Sequence, residues 1–137
     1  MTVFVDSSAW YAAGDSGDGN NSRAKGVLGR GEALATTDYV LLETWLLLHR
    51  RLGRPAAERF WERLRAGLAH VECVQPIDLE AAWGIGQRYP DQDFSLADRT
   101  SFAVMERQGL TKVASFDDDF AIYRFGRARD RAFTVLR

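Results

Sequence analysis

Val3-Phe4-Val5-Asp6-Ser7-Ser8 decides the fold. Three apolar residues of high strand preference run directly into a carboxylate and two hydroxyls. A short, continuous apolar run of this kind reads as a strand buried on both faces, as in a parallel sheet. Open α/β sheets hold their ligands in the crevice at the carboxyl ends of the strands. Asp6 stands at that end, beside a core of low dielectric. A second reading gives Asp6, with Ser7 or Ser8, only the task of capping the next helix. What separates the two is whether further acids arrive at the same edge.

The remaining sequence fits a sheet of this type. Short apolar runs at 33–36, 71–74, 113–115 and 133–136 read as four further strands. Helical patterns fall between them: 21–29, a long helix capped by Thr37 or Asp38 and ended by Gly53, and a helix opened by Pro55. Asp78 is expected to cap a helix through Tyr89, Ser95 one that reaches Gln108, and a short helix covers 118–123. Strands alternating with helices imply a parallel, helix-covered sheet. The glycine-rich stretch at 14–21 superficially suggests a calcium loop, but its acids are misplaced and Gly26 stands where the closing Glu belongs.

At 137 residues the chain is expected to form a single domain over 1–137. Hydrophobic content of 46% and a net charge of −1 describe an ordinary globular protein and indicate no polyanion partner by charge alone. Lys25 and Lys112 are the only lysines among 18 basic residues, and the arginines cluster at 50–65 and 124–131. Arginine suits phosphate, although a general preference for Arg over Lys explains any single one equally well. The lone Cys73 excludes an internal disulfide and, within 71–74, reads as a small mid-strand core residue. The first residues lack a secretory pattern, and the longest apolar stretch, 39–48, contains Glu43 and is too short to span a bilayer. A cytoplasmic protein with no membrane association is expected.

Four acids fall at corresponding places in this layout. Asp6 ends the first strand. Glu43 lies in the second turn of the helix after the second strand, Asp98 in the first turn of the helix begun by Ser95, and Asp117 just past the fourth strand. Each has a structural reading: Ser95 and Asp98 have capping-box spacing, and Asp117 or Asp118 can cap a short helix. Glu43 is harder to explain so, because it interrupts Val40-Leu41-Leu42 and Trp45-Leu46-Leu47-Leu48, and burying a lone carboxylate is costly. Together the four are better explained by a cation. Clustered carboxylates repel unless one keeps a proton or a cation joins them. An all-oxygen set with no nearby His or Cys favours Mg²⁺, with Mn²⁺ as a substitute, over zinc. Such an ion suits phosphodiester hydrolysis.

These residues resemble the motifs of the PIN-domain nucleases, and most closely those of VapC-type toxins of toxin–antitoxin pairs. Val5-Asp6-Ser7-Ser8, Glu43 after Val40-Leu41-Leu42, Phe94-Ser95-Leu96-Ala97-Asp98, and Ala114-Ser115-Phe116-Asp117 match in order and spacing across nearly the whole chain. The resemblance implies a three-layer α/β/α fold with a central five-stranded parallel sheet. It also implies a Mg²⁺-dependent endoribonuclease, an RNA substrate, a homodimer, and a VapB-type antitoxin that blocks the acidic pocket. Asp6, Glu43, Asp98 and Asp117 become the expected catalytic and metal-holding residues. Ser7 and Ser115 would orient carboxylates or water, and Asp93 and Asp119 are extra acids that either ligate the ion or support its ligands by hydrogen bonding. Many relatives carry His in the stretch where Asn20-Asn21 stand, and Thr where Ser115 stands. Two alternatives remain open at this point. A phosphotransferase of the aspartyl-phosphate type would use Asp6 as nucleophile, but Ser8 occupies the usual place of its second acid. A non-catalytic module would use the acids to grip a basic peptide.

Overall fold

The computed structural model describes residues 1–137. The elements in chain order are β1 (Thr2–Val5), α1 (Ser7–Gly14), α2 (Asn21–Leu28), β2 (Ala33–Thr37), α3 (Asp38–Leu52), α4 (Arg54–Arg65) and β3 (His70–Glu72). They continue with α5 (Pro76–Arg88), α6 (Leu96–Gln108), β4 (Lys112–Ala114), α7 (Asp119–Ile122), β5 (Arg124–Phe125), β6 (Arg131–Ala132) and β7 (Thr134–Leu136). Five strands form one parallel sheet in the order β3-β2-β1-β4-β7, and β5 and β6 form a separate antiparallel pair. The fold is the helix-covered parallel sheet implied by the sequence. No helix is long and apolar enough to cross a membrane.

The strand order sets the position of the site. β1 pairs with β2 on one side and β4 on the other, with Phe4 opposite both Ala35 and Val113. The chain therefore leaves β1 in one direction and later returns to its other flank, which makes the carboxyl ends of β1 and β4 the point where open α/β sheets hold their ligands. Val3, Phe4 and Val5 are buried, as expected of a strand covered on both faces. Thr37 caps α3 by accepting the Val40 N–H at 3.1 Å, and Gly53, at φ 95°, turns the chain out of that helix.

An aromatic cluster fixes the helices that carry the later acids. Phe102 of α6 stacks on Tyr123 at 4.3 Å between centroids and meets Phe120 of α7 edge-on at 5.0 Å. Phe120 also lies 6.5 Å from Phe4 of β1. The first turn of α6, the α7 turn and the end of β1 are thus held by one packed group. Truncating the fully buried Phe102 to Ala is expected to cost about 3–5 kcal/mol, read as a lowered midpoint in urea denaturation.

Some sequence-based expectations need correction. Cys73 is exposed and lies beyond β3, which ends at Glu72 at the edge of the sheet, so it is neither mid-strand nor core. Asp78 does not sit at the helix cap: Gln75 does. Asp78 is the third helical residue, its Oδ2 accepting the Gln75 N–H at 2.9 Å. Asp78 is buried instead against Arg107, whose Nε and Nη2 each reach it at 2.9 Å. The stretch at 124–132 contains the β5–β6 hairpin, anchored by Phe125 stacked on Phe133 at 4.6 Å.

Candidate active site

Asp6 occupies the cap position of α1 but its side chain makes no capping bond. Two hydroxyls hold it instead. Ser8 Oγ donates to Asp6 Oδ2 at 2.9 Å, and Ser115 Oγ donates to the same oxygen at 3.0 Å. Each hydroxyl also accepts a backbone N–H from the turn after β4: Phe116 to Ser8 at 2.9 Å, and Asp117 to Ser115 at 3.1 Å. Asp6 is only 3% exposed. Burial raises its pKa above the usual carboxylate range, the hydroxyls of Ser8 and Ser115 and the Ser7 amide oppose that rise, and the charge of Glu43 adds to it.

Asp98 enters from α6. The capping box is real: the Asp98 N–H donates to Ser95 Oγ at 3.1 Å, and Asp98 Oδ2 accepts the Ser95 N–H at 3.3 Å. The cap uses the Asp98 amide and one carboxylate oxygen and leaves the other oxygen without a part in the cap. Carboxylate oxygens of Asp98, Asp117 and Asp119 lie within 4.8 Å of one another. Burial first, then the hydrogen bond shared with Asp119 and the charges of Asp6, Asp119 and Asp117, push Asp98 up to about 8. Asp119 is raised as well, mainly by burial and by its neighbours Asp117 and Asp118, against the lowering effect of its bond with Asp98. Asp117 Oδ1 accepts the Asp119 N–H at 3.0 Å, which folds the turn so that both side chains serve one hollow.

Glu43 accepts a short hydrogen bond from Ser7 Oγ, and its charge is felt by Asp6. It lies beside Asp6 and outside the trio of Asp98, Asp117 and Asp119. Asp93 is exposed on the α5–α6 connection and is likewise not among the gathered acids. Asp119, expected as either a ligand or a supporting acid, stands within the trio. Ser8 was not singled out by sequence, since Ser115 and Phe116, which complete its contacts, are more than a hundred positions away.

The donor set fits a small divalent ion. Ligands on an octahedral Mg²⁺ at 2.0–2.1 Å are about 3 Å apart when adjacent and about 4 Å when opposite, so carboxylate oxygens within 4.8 Å of one another need only small side-chain movements to share it. Burial, and after it the neighbouring acids, raise the pKa of Asp98, and a divalent cation would offset both effects. All the donors are oxygen, which suits hard ions over zinc. An aspartyl-phosphate site would need an acid where Ser8 stands, and Ser8 is instead committed to Asp6.

Comparison with known proteins bears on the family and the fold. Residues 3–126 match the family model described as the PIN domain. The 23S rRNA-specific endonuclease VapC20 of Mycobacterium tuberculosis is 36% identical over 128 residues, 93% of this chain and 98% of that protein. The crystal structure of Mycobacterium tuberculosis VapC20, described as a sarcin–ricin loop cleaving toxin, superposes with a TM-score of 0.83, covering 87% of this chain and 92% of that one. FitAcB from Neisseria gonorrhoeae has a TM-score of 0.68 at 18% identity, covering 100% of this chain and 97% of that one. A toxin–antitoxin complex from Klebsiella pneumoniae has a TM-score of 0.65 at 16% identity, covering 88% and 91%. The last two likenesses concern the fold alone.

Proposed function

The chain belongs to the PIN-domain family, in its VapC-type branch, and from that footing we propose that it is a Mg²⁺-dependent endoribonuclease toxin with an RNA of the large ribosomal subunit as substrate. The observation that carries this reading is the meeting of Asp98, Asp117 and Asp119 within 4.8 Å, next to Asp6, at the carboxyl ends of β1 and β4. The ribosomal substrate is taken from the 36% identical relative. Cytoplasmic residence follows from such a substrate.

Asp6, Asp98, Asp117 and Asp119 would hold the ion, with Glu43 at the margin; Mn²⁺ would substitute for Mg²⁺. Bound there, a divalent ion supplies Lewis acidity for water activation and for charge on the leaving oxygen. The chain's own groups prepare the site. Ser8 and Ser115 fix the Asp6 carboxylate. Ser7 steers Glu43. The bond from the Asp119 amide to Asp117 orders the turn bearing both acids. Hydrolysis with departure of the 3′ oxygen leaves a 5′-phosphate and a 3′-hydroxyl.

A VapB-type antitoxin would block the pocket by inserting Arg or Lys among the acids. Its helix has a fitting seat in the apolar hollow of about 330 Å³ lined by Asp38, Leu41, Leu42, Trp45 and Trp61. A homodimer would cover some of the exposed apolar surface, such as Ile77 and Trp83 on α5.

The test is incubation of the purified protein with 23S rRNA in Mg²⁺, in Mn²⁺ and in chelator, followed by mapping of both ends. Discrete cleavage that needs the ion and leaves 5′-phosphates is the expected result. Absence of RNA turnover even in Mn²⁺, or 2′,3′-cyclic ends, would refute the reading.

A further inference from the structure

Both side-chain hydrogen bonds to Asp6 fall on one oxygen. Ser8 and Ser115 donate to Oδ2 at 2.9 and 3.0 Å, and no side chain reaches Oδ1. A carboxylate oxygen offers two lone-pair sites, so Oδ2 is fully engaged and Oδ1 alone keeps open acceptor capacity. The hydroxyls are not free to turn away. Each has one proton, and Asp6 Oδ2 is the nearest and most strongly accepting oxygen to both, at 2.9 and 3.0 Å, against 3.2 Å between the two Oγ atoms and 3.5 Å from Ser115 Oγ to the Asp117 carbonyl. The 3.2 Å contact between the two Oγ atoms is the longer of the options open to either proton. Ser115 is fully buried and Ser8 is half-buried, so water does not readily take over their role.

We propose that Ser8 is a positioning residue that selects the ion: with Ser115 it occupies Asp6 Oδ2, confines Asp6 to single-oxygen ligation through Oδ1, and so favours small octahedral ions over Ca²⁺. The proposal rests on the reading of Asp6 as a ligand. Its physical basis is the difference between the ions. Ca²⁺ takes six to eight oxygens at 2.3–2.6 Å and readily uses both oxygens of one carboxylate, whereas Mg²⁺ requires near-octahedral geometry at 2.0–2.1 Å. A carboxylate with one oxygen filled by two hydroxyl donors can serve the second kind of ion but not chelate the first. The same relay ties the end of β1 to the turn after β4, so Ser8 also sets where the Asp117–Asp119 turn stands relative to Asp6.

The experiment is a titration of metal-free full-length protein with Mn²⁺, read from the loss of the free-ion paramagnetic resonance signal and repeated with Ca²⁺ as competitor. Ser8→Ala is expected to weaken Mn²⁺ about tenfold, the scale of a lost supporting hydrogen bond, while Ca²⁺ binding is maintained or improved. The preference for Mn²⁺ over Ca²⁺ then falls at least as far. Ser8→Thr, which keeps the hydroxyl, restores the parent preference. If Ser8→Ala does not fold, Ser8→Cys takes its place, because a thiol is a weak donor. Equal weakening of both ions, unchanged Mn²⁺ affinity, or a Thr variant that behaves like Ala would each overturn the proposal. Failure of the parent protein to bind Mn²⁺ would overturn it together with the metal-site reading, whereas the other three outcomes leave that reading standing.

Discussion

Asp98→Asn abolishes RNA cleavage and leaves the metal-free protein at least as stable as the parent. The two halves of this result have one cause. Asp98 is 7% exposed and crowded by Asp6, Asp117 and Asp119, so its ionised form is held there at a cost that only a cation relieves. An amide removes the charge the ion needs while preserving shape. Its oxygen can still accept the Ser95 N–H, and its backbone N–H still reaches Ser95 Oγ, so the α6 cap survives. The expected loss is several kcal/mol of transition-state stabilisation, roughly a thousandfold in single-turnover rate. The melting temperature without metal should hold or rise. Asp98→Ala differs, because it also removes half of the capping box. Cleavage within a few-fold of the parent rate in Asp98→Asn would take this carboxylate out of the reaction.

The sequence makes much of this site legible because strand ends obey a simple rule. Parallel strands have their carboxyl ends on one edge, so an acid just past 3–5 and another just past 113–115 come to the same edge once the two strands pair, where Ser115 bridges the Asp6 carboxylate and the Asp117 amide. Glu43 is visible as a charge interrupting an apolar helix, and it lies beside Asp6 with Ser7 as its partner. Asp98 is visible twice, as a cap and as an acid, and it both closes the capping box and stands in the acidic trio. Less local features are not legible. Ser8 looks like a helix-start hydroxyl until folding brings Phe116 and Ser115 to it. The ranking of Asp119 ahead of Asp93 depends on the turn geometry after β4, which no spacing reveals. Cys73 has an apolar neighbourhood in sequence, but β3 is an edge strand that ends before it. The β5–β6 hairpin rests on two-residue strands and an aromatic stack, too short for any periodicity.

The second large effect is the dependence of ion binding on pH. In the metal-free protein the Asp98 carboxyl is raised to about 8, so the folded state keeps a proton there that the unfolded chain loses near its ordinary value of about 3.9. Between those values the native state binds more protons than the unfolded one, and metal-free stability therefore falls as pH rises from about 4 to about 8. Burial of Asp6 and Asp119, also raised, acts in the same sense. An ion must displace the proton on Asp98, so its affinity moves the opposite way, rising up to about tenfold per pH unit below 8 and flattening above it for each proton displaced.

Calorimetric titration of Mn²⁺ into the metal-free protein at pH 6, 7 and 8, in buffers of different ionisation enthalpy, measures affinity and proton release together. If carboxylates from separate segments share one ion, binding tightens across this range, at least about half a proton is released per ion at pH 7, and Asp98→Asn loses both the affinity and the release. Mn²⁺ binding that is independent of pH, or retained with the same proton release in Asp98→Asn, would contradict the account.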